Sequence, residues 1–453
     1  MPTPDSTPSS SSSTDAPQSA STPPRGSLLV IFLTVVIDLL GFALVLPLLP
    51  LYARQYSVDE TGITIGLLMA SFSIMQFLFA PLWGKLSDRI GRRPVLIVGL
   101  LGSVVCYSLF GVATLIQSLP LLFLTRIGAG IAGATISTAQ AYIADVTTVE
   151  NRSKGMALIG MAFGIGFTFG PLVGLLAVPN GEGIPGPWPG FVAALLSTVA
   201  LILACFLLPE SLATRGEKQT RKLLDLSGFR TAIAIPSIGM VLLAIFVCVF
   251  SFGNFETTLS LLIEEGKGEH ITYETETTST AETPQSASAS DGPFAFSWAG
   301  VCLTYAYIGF TLTLVQGVVV RRLAGKVPEG IASAIGAGLQ ILGFTLMILA
   351  ITQASVGLLL AALFFVVAGF SIMQPNLNAM LSRRSDPARQ GLILGVGQSV
   401  SSMARILGPM VGIPLYYRLN HLPYCVAAAL MLIGLLLVLG AAARGKDYAA
   451  DQA

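Results

Sequence analysis

An all-α integral membrane fold, with twelve transmembrane helices in two six-helix halves, is predicted by three features of this sequence. Hydrophobic residues make up 53% of the 453 residues, charged residues only 11%, and the mean hydropathy is +0.76. About a quarter of the residues in a soluble domain are charged, so this chain cannot cover a water-facing surface. Apolar stretches long enough to cross a bilayer recur twelve times, and a short motif repeats in the second half. These features exclude a soluble enzyme, a secreted disulfide scaffold and a disordered protein.

The spans follow from length, because roughly 20 apolar residues are needed to cross a hydrocarbon core about 30 Å thick. The predicted spans are 28–53, 61–83, 95–116, 119–143, 155–178, 187–208, 231–263, 297–319, 330–351, 354–380, 390–417 and 422–443. The uncharged stretch at 330–382 is too long for one helix, so it is divided at the polar residues 352–355.

Composition also divides the chain into segments. The Ser-, Thr- and Pro-rich residues 1–26 predict a disordered tail, because they offer almost no apolar surface to bury. The first six spans form an N-terminal half at 27–210, and a basic linker follows at 211–230. The C-terminal half occupies 231–446 and contains a Thr-, Ser- and Glu-rich insertion at about 264–291.

The positions of Lys and Arg predict the orientation in the membrane. Twenty of the 25 lie in the tail, in the loops on the same side, in the linker and after the last span, and three lie on the opposite side. Since basic residues stay on the cytoplasmic side, both termini are predicted to be cytoplasmic in an inner or plasma membrane. The insertion then faces outside. A net charge of +1 makes nucleic acid an unsuitable partner.

An internal repeat supports the division into halves. Arg152 precedes the run Gly-Pro-Leu-Val-Gly at 170–174 by 18 positions, and Arg389 precedes Gly-Pro-Met-Val-Gly at 408–412 by 19. Duplicated halves with a substrate site between them are a recurrent plan of transporters.

Several motifs of this sequence resemble those of the major facilitator superfamily. GKLSDRIGRRP at 84–94 is similar to the signature that the superfamily carries between spans 2 and 3. IDLLGFALVLPLLP at 37–50, RIGAGIAGATISTAQAYIAD at 126–145 and QGVVVRRLAGK at 316–326 add to the resemblance. GIGFTFGPLVG at 164–174 resembles the motif associated with proton-coupled antiporters. Together these motifs resemble the twelve-helix drug/proton antiporters, and the tetracycline-transporter-like group in particular.

The chain departs from that group in two places. The antiporter motif usually ends in Gly-Gly, and here Leu175 follows Gly174. The tetracycline pumps carry a histidine in span 8 and an aspartate in span 9, whereas this chain has only His270 and His421, both in predicted outer loops. The resemblance therefore does not specify tetracycline as the substrate.

Asp38 and Arg126 are the candidate proton-coupling residues. Asp38 lies about ten residues into span 1, roughly 15 Å deep, where a carboxylate costs roughly 2.5–3.5 kcal/mol and needs a partner or a proton. Arg126 in span 4 is the expected partner, because a guanidinium can hold a carboxylate bidentately. The resemblance implies a role for Arg126 in proton coupling. A structural ion pair that joins spans 1 and 4 is the alternative.

A second set of charges lies at the cytoplasmic surface. We expect an acid there to meet the N-terminus of span 11 near Gln390, whose free N–H groups favour negative charge. The resemblance implies that this cluster latches the two halves in an outward-facing state, and a loop that only sets topology is the alternative. The residues of the predicted latch are Gly84, Asp88, Arg89, Gly91, Arg92 and Asp145.

Span 5 is predicted to carry small residues on one face, where they allow close helix packing and form a seal or hinge against span 8. Ordinary packing is the alternative reading. The residues concerned are Gly164, Gly166, Gly170, Pro171 and Gly174.

Arg405 in span 11 has no acid in its own helix, so it is predicted either to bind an anionic substrate group or to pair with Glu256 of span 7. Other polar residues at membrane depth are candidates for lining a substrate cavity, namely Gln140, Gln316, Asn378 and Gln398.

The sequence therefore predicts a monomeric, proton-coupled antiporter that exports an amphipathic small molecule across the lipid bilayer by alternating access. No cofactor or metal is predicted, and the five cysteines form no C-x-x-C pair. A proton symporter or a facilitator for a metabolite is the first alternative. A non-transporting sensor or a membrane enzyme is less consistent with the sequence, which has no histidine or acid pair in any span.

Overall fold

A computed structural model describes residues 27–45, 63–177, 186–212, 236–263, 294–386 and 389–444 of the chain. The predicted tail at 1–26, nearly all of the linker at 211–230, the insertion at 264–291 and the outer end of span 1 lie outside the described residues.

Twelve membrane-spanning helices account for most of the described residues, which confirms the predicted count. The N-terminal half contains α1 (Ser27–Val45), α2 (Ile63–Ile90), α3 (Arg92–Leu115), α4a (Leu119–Gly133) with α4b (Ile136–Val146), α5 (Arg152–Ala177) and α6 (Trp188–Leu207). The C-terminal half contains α7 (Pro236–Ile263), α8 (Trp298–Leu314), α9 (Glu329–Gln353), α10 (Val356–Arg383), α11 (Gln390–Arg418) and α12 (Leu422–Arg444). Ten of the spans are long and apolar enough to cross a membrane by composition alone. The more polar α2 and α11 complete the set.

The signature at 84–94 is almost entirely helical, which corrects its prediction as a loop. α2 continues to Ile90, seven residues past the predicted end of the span, and α3 begins at Arg92. Apolar composition ends where the bilayer ends, but a helix continues as long as its polar side chains find water or partners. Gly91 alone makes the turn, with a φ of 111°, a left-handed conformation that glycine adopts without strain.

The two halves meet along two helix pairs. α2 packs against α11, and α5 packs against α8. Within the N-terminal half, α1 packs against α5 and α6; within the C-terminal half, α9 packs against α10 and α12. The site described below lies at and between these contacts.

Two spans depart from regular α-helix. α4a and α4b are separated by a break at Ala134 and Thr135. α8 passes into a π-helical segment at Val315–Val320 before it ends at Arg321–Leu323. Such wide turns are rare and occur often at functional positions. Here the segment contains Gln316, one of the predicted cavity residues.

Candidate functional site

The two halves are joined through Asp88 at one end of the helix bundle. We call this end, where α2 finishes and α3, α5 and α11 begin, the basic end. Asp88 Oδ1 accepts a hydrogen bond from the backbone N–H of Gly391 and its Oδ2 accepts one from Leu392, each at 2.9 Å. The first N–H groups of a helix have no partner within it, and the helix dipole favours an anion there. Asp88 of the first half therefore holds the first turn of α11 in the second half.

Arg92 lies behind this contact and holds two acids at once. The guanidinium is fully buried and pairs with Asp88 through Nη1 and with Asp145 through Nε, the latter at 3.1 Å. The same Nη1 donates to Ser87 Oγ at 2.8 Å, and Ser211 Oγ donates to Asp145 at 3.0 Å. α2, α3 and the end of α4b are thus linked by one buried network. Charge-assisted bonds of this kind are stronger than neutral ones.

Glycine is required where α2 and α11 touch. A Cβ at Gly84 would collide with the carbonyl group of Gly391, and a Cβ at Gly395 would lie 2.6 Å from the carbonyl oxygen of Ala80. The two backbones therefore meet directly. Arg89, the remaining latch residue, lies half-buried in the last turn of α2.

Glu210 is a functional candidate that the sequence analysis missed. It follows α6 and accepts hydrogen bonds from the backbone N–H groups of Arg92 at 2.8 Å and of Arg93 at 3.2 Å. It thereby satisfies the first turn of α3 and lies against Gly91, where a Cβ would meet its carboxylate. Its position in Leu-Pro-Glu directly after an apolar span was a weak signal, since the partner lies 118 residues away.

A second contact joins the halves beside the first. Arg383 at the end of α10 binds both carboxylate oxygens of Glu329, the first residue of α9, at 2.7 and 2.8 Å. Ser153 of α5 donates to the same carboxylate at 3.5 Å, and Arg152 donates to Ser382 Oγ at 2.6 Å. The order of charges is the reverse of that in the N-terminal half, where the cation begins α3 and the acid ends α4b.

Asp38 and Arg126 do not form the predicted ion pair. Asp38 Oδ1 instead accepts a hydrogen bond from Ser197 Oγ of α6 at 2.9 Å, and Ser103 of α3 lies near the same side chain. In the described part of the chain, no salt bridge connects Asp38 with any cation. Depth along a span could be predicted, but the direction in which each helix faces could not.

Arg126 is held by aromatic rings. Its guanidinium carbon lies 4.8 Å from the centroid of the Phe72 ring of α2, and Phe72 stacks on Phe42 of α1 at 4.9 Å. The side chain is 1% exposed, and its Nε and Nη1 have no hydrogen-bond partner. Tyr107 of α3 lies near both Asp38 and Arg126.

The small residues of α5 face two neighbours, which corrects the prediction of one face. A Cβ at Gly164 would meet Thr313 of α8, whereas a Cβ at Gly166 or Gly170 would meet α1. Pro171 is buried in the same helix, and the packing around Gly174 lies outside the described residues. Gly164 thus belongs to the contact between the halves, whereas Gly166 and Gly170 pack within the first half.

The predicted cavity residues occupy different environments. Gln316 is 1% exposed, both atoms of its amide lack a hydrogen-bond partner, and its amide lies against Gly160 of α5. Gln140 and Gln398 are buried, and Asn378 is half-buried. Arg405 and Glu256 interact electrostatically but form no salt bridge within 4.0 Å among the described residues.

A family model described as the Major Facilitator Superfamily matches residues 31–409. The chain belongs to the major facilitator superfamily. This superfamily transporter is 31% identical over 417 residues to the tetracycline resistance protein, class C, of Escherichia coli, covering 90% of the chain and 95% of that protein. It is 26% identical over 430 residues to multidrug resistance protein 2 of Bacillus subtilis, covering 93% and 96%. The crystal structure of the human organic anion transporter MFSD10 (TETRAN) matches with a TM-score of 0.75 and 26% identity, covering 92% of this chain and all of that one.

These relationships place the superfamily transporter in the tetracycline-transporter-like group and confirm the predicted resemblance. They also identify it as a multi-pass membrane protein of a transporter family rather than an enzyme. Its charged groups then fall into two sets: a bonded cluster that joins the halves at the basic end, and four ionisable residues (Asp38, Arg126, Glu256 and Arg405) inside the membrane-spanning bundle.

Proposed function

We propose that the chain exports an amphipathic small molecule from the cytoplasm in exchange for protons, by alternating access. The basic end is assigned to the cytoplasm because Lys and Arg concentrate on the cytoplasmic sides of membrane proteins. Two relatives are named for resistance to tetracycline and to multiple drugs, and a third is named an organic anion transporter. These names support export of a small organic molecule.

The observation that carries the proposal is the bonding of Asp38. Its carboxyl group lies at membrane depth and accepts a hydrogen bond from the hydroxyl group of Ser197, with Ser103 nearby, rather than from a cation. A hydroxyl group can donate to a carboxylate and can also accept from a carboxylic acid. Both protonation states of Asp38 can therefore be accommodated. A cation bonded directly to the carboxylate would instead favour the ionised state.

Arg126 supplies the second part of the coupling. Its guanidinium has unfilled donors close to Tyr107, which also interacts with Asp38. A proton on Asp38 removes a negative charge from this group of residues, and the force on Arg126 and on the helices that carry it changes. Protonation thereby biases the equilibrium between the two orientations of the halves.

Closure at the basic end supports an outward-facing arrangement. Asp88 bonds to α11, and the backbones of Gly84 and Gly391 are in contact, so a path to the cytoplasm between α2 and α11 is blocked. Export requires these contacts to form and break in each cycle.

Proteoliposomes with a pH-sensitive dye inside test the proposal. A panel of lipophilic cations, zwitterions and anions is added to wild type and to Asp38→Asn, with Ser197→Ala as a variant that keeps the carboxyl group. We expect substrate-driven proton flux, opposite in direction to substrate movement, in wild type and in Ser197→Ala at a reduced rate, and no proton flux in Asp38→Asn. Substrate movement without proton flux, equal in wild type and Asp38→Asn, would show a facilitator and overturn the proposal.

A further inference from the structure

Arg405 is a half-buried cation with no hydrogen bond or salt bridge to any other described residue. It lies 15 residues into α11, about 22 Å along the helix at 1.5 Å per residue and close to its middle. Its Nε is buried with no hydrogen-bond partner. Arg92 and Arg383 at the basic end differ from it, because each binds a carboxylate directly. A guanidinium left in this state at membrane depth is costly, and such residues are by default functional.

Glu256 is the acid that interacts electrostatically with Arg405. It lies in α7, which packs against α11, and a Cβ at Gly253 would lie 3.7 Å from the Cα of Arg405. The carboxylate therefore projects from about one turn beyond this point of close approach. Arg405 and Glu256 interact electrostatically, yet no nitrogen and oxygen of the two lie within 4.0 Å in the described structure. The negative charge of Glu256 therefore offsets part of the positive charge of Arg405, but the N–H donors of the guanidinium make no hydrogen bond to it.

Aromatic side chains lie beside Gly253 and Glu256. Phe252, next to Gly253, stacks on Phe370 of α10 with ring centroids 4.0 Å apart. The hydroxyl group of Tyr305 of α8 donates to the backbone carbonyl of Glu256 at 3.2 Å. A ligand site typically combines apolar and aromatic walls with a few polar groups that orient the ligand. Arg405 supplies such a polar group, and the rings supply the wall.

We propose that Arg405 binds the negatively charged group of the transported molecule, so that the substrates are small amphipathic organic anions with an aromatic or apolar body. The inference rests on the proposed function, since it names the substrate class of the exporter. A guanidinium binds a planar carboxylate through two parallel N–H donors. Phe252 and Phe370 contact the body of the same molecule.

Glu256 has a defined part in this site. Its carboxylate stabilises the guanidinium while the site is empty and competes with the substrate anion for it when the site fills. Removing the carboxylate charge should therefore strengthen anion binding. A purely structural pair would show the opposite behaviour, because loss of either member would weaken the fold and the site together.

Ligand binding to the purified full-length protein in detergent, without any gradient, tests the inference. The probes are dansyl-glycine, which is an anion, and dansyl-glycinamide, its neutral counterpart, with binding followed by dansyl fluorescence. We expect wild type to prefer the anion by about tenfold, the value of roughly one charge-assisted contact. Arg405→Gln should lose this preference with unchanged amide binding. Arg405→Lys should keep part of it, because it retains charge without the bidentate geometry.

A thermal melt shows whether Arg405→Gln folds. If it does not fold, Glu256→Gln provides a second, independent test. We expect Glu256→Gln to bind dansyl-glycine severalfold more tightly, with unchanged binding of the amide. Equal affinity of wild type for the two probes, or weaker anion binding by Glu256→Gln, would overturn the inference. Anion-selective binding without proton exchange in proteoliposomes would overturn the proposed coupling and leave the anion site standing.

Discussion

The charged residues at the basic end and those inside the membrane-spanning bundle differ in whether they bind a group of opposite charge directly. At the basic end, Asp88 accepts two backbone N–H groups and one guanidinium, and Asp145 and Glu329 each bind an arginine. Inside the bundle, Arg126 has a ring and two unfilled donors, and Arg405 has no bonded partner among the described residues. A buried charge bound directly to an opposite charge fixes an arrangement of helices, whereas a charge without such a bond is available to a ligand or to a proton-driven change.

Gly84→Ala should break the bonded set most severely. The added methyl group meets the Gly391 carbonyl group, so α2 and α11 cannot close at the basic end. We expect the transport rate in proteoliposomes to fall by about tenfold or more, because overpacking at a close contact costs about 1–3 kcal/mol. Gly338→Ala in α9 is the matched control, since a Cβ there meets nothing within 4 Å. Wild-type transport by Gly84→Ala would mean that this contact is not part of the cycle.

Asp88→Asn should weaken the same contact while leaving the helices able to approach. The variant loses the charge that pairs with Arg92 but keeps an oxygen acceptor, and Arg92 keeps its bond to Asp145, so the loss is that of one charge-assisted hydrogen bond, about 1.5 kcal/mol. We expect faster hydrogen exchange at the N–H groups of Gly391 and Leu392, together with slower transport. Glu329→Gln provides the comparison, because its pair with Arg383 is more exposed and lies within one half. Equal protection of α11 in wild type and Asp88→Asn would contradict the latch.

Phe72→Leu tests the surroundings of Arg126 in the first half. It removes the ring beneath Arg126, and a cation–π contact contributes about 0.5–2 kcal/mol. We expect substrate-driven proton flux to fall severalfold, while Phe72→Tyr, which keeps an aromatic face, retains most of it. If Phe72→Leu and Phe72→Tyr behave alike, the ring serves only as packing.

Glu210→Gln should have the smallest effect. It weakens the acceptor for the first N–H groups of α3, and loss of a helix cap costs about 1 kcal/mol. We expect a lower melting temperature of the purified protein with transport retained. Glu150→Gln, at an exposed acid, should leave the melting temperature unchanged. A loss of transport greater than in Asp88→Asn would show that Glu210 belongs to the latch itself.

Much of the fold and part of the site could be predicted from sequence. Twelve apolar stretches specify twelve spans, because the bilayer imposes a length on each. The approach of Asp88 to α11 was also predictable, since the free N–H groups of a helix start attract an acid. Asp38 and Arg126 were misassigned to each other for a different reason: depth follows from position in the chain, but facing direction depends on packing between distant segments.

The two faces of α5 could also have been predicted from the spacing of its glycines. Gly160 and Gly164 are four positions apart and share a face at 3.6 residues per turn, whereas Gly166 and Gly170 share another. The structure has the first pair against α8 and the second against α1. The tertiary partners themselves, and the bond between Glu210 and α3, depend on contacts that no local pattern contains.

The reversed charge order at the basic end has an evolutionary consequence. The halves descend from a common plan, yet Arg92 with Asp145 and Glu329 with Arg383 occupy corresponding places with cation and acid exchanged. Replacing one member of either pair by its opposite sets two like charges side by side, so a reversal has to pass through a neutral pair or through coordinated changes. Because each pair lies within its own half, a reversal in one half leaves the pair in the other half intact.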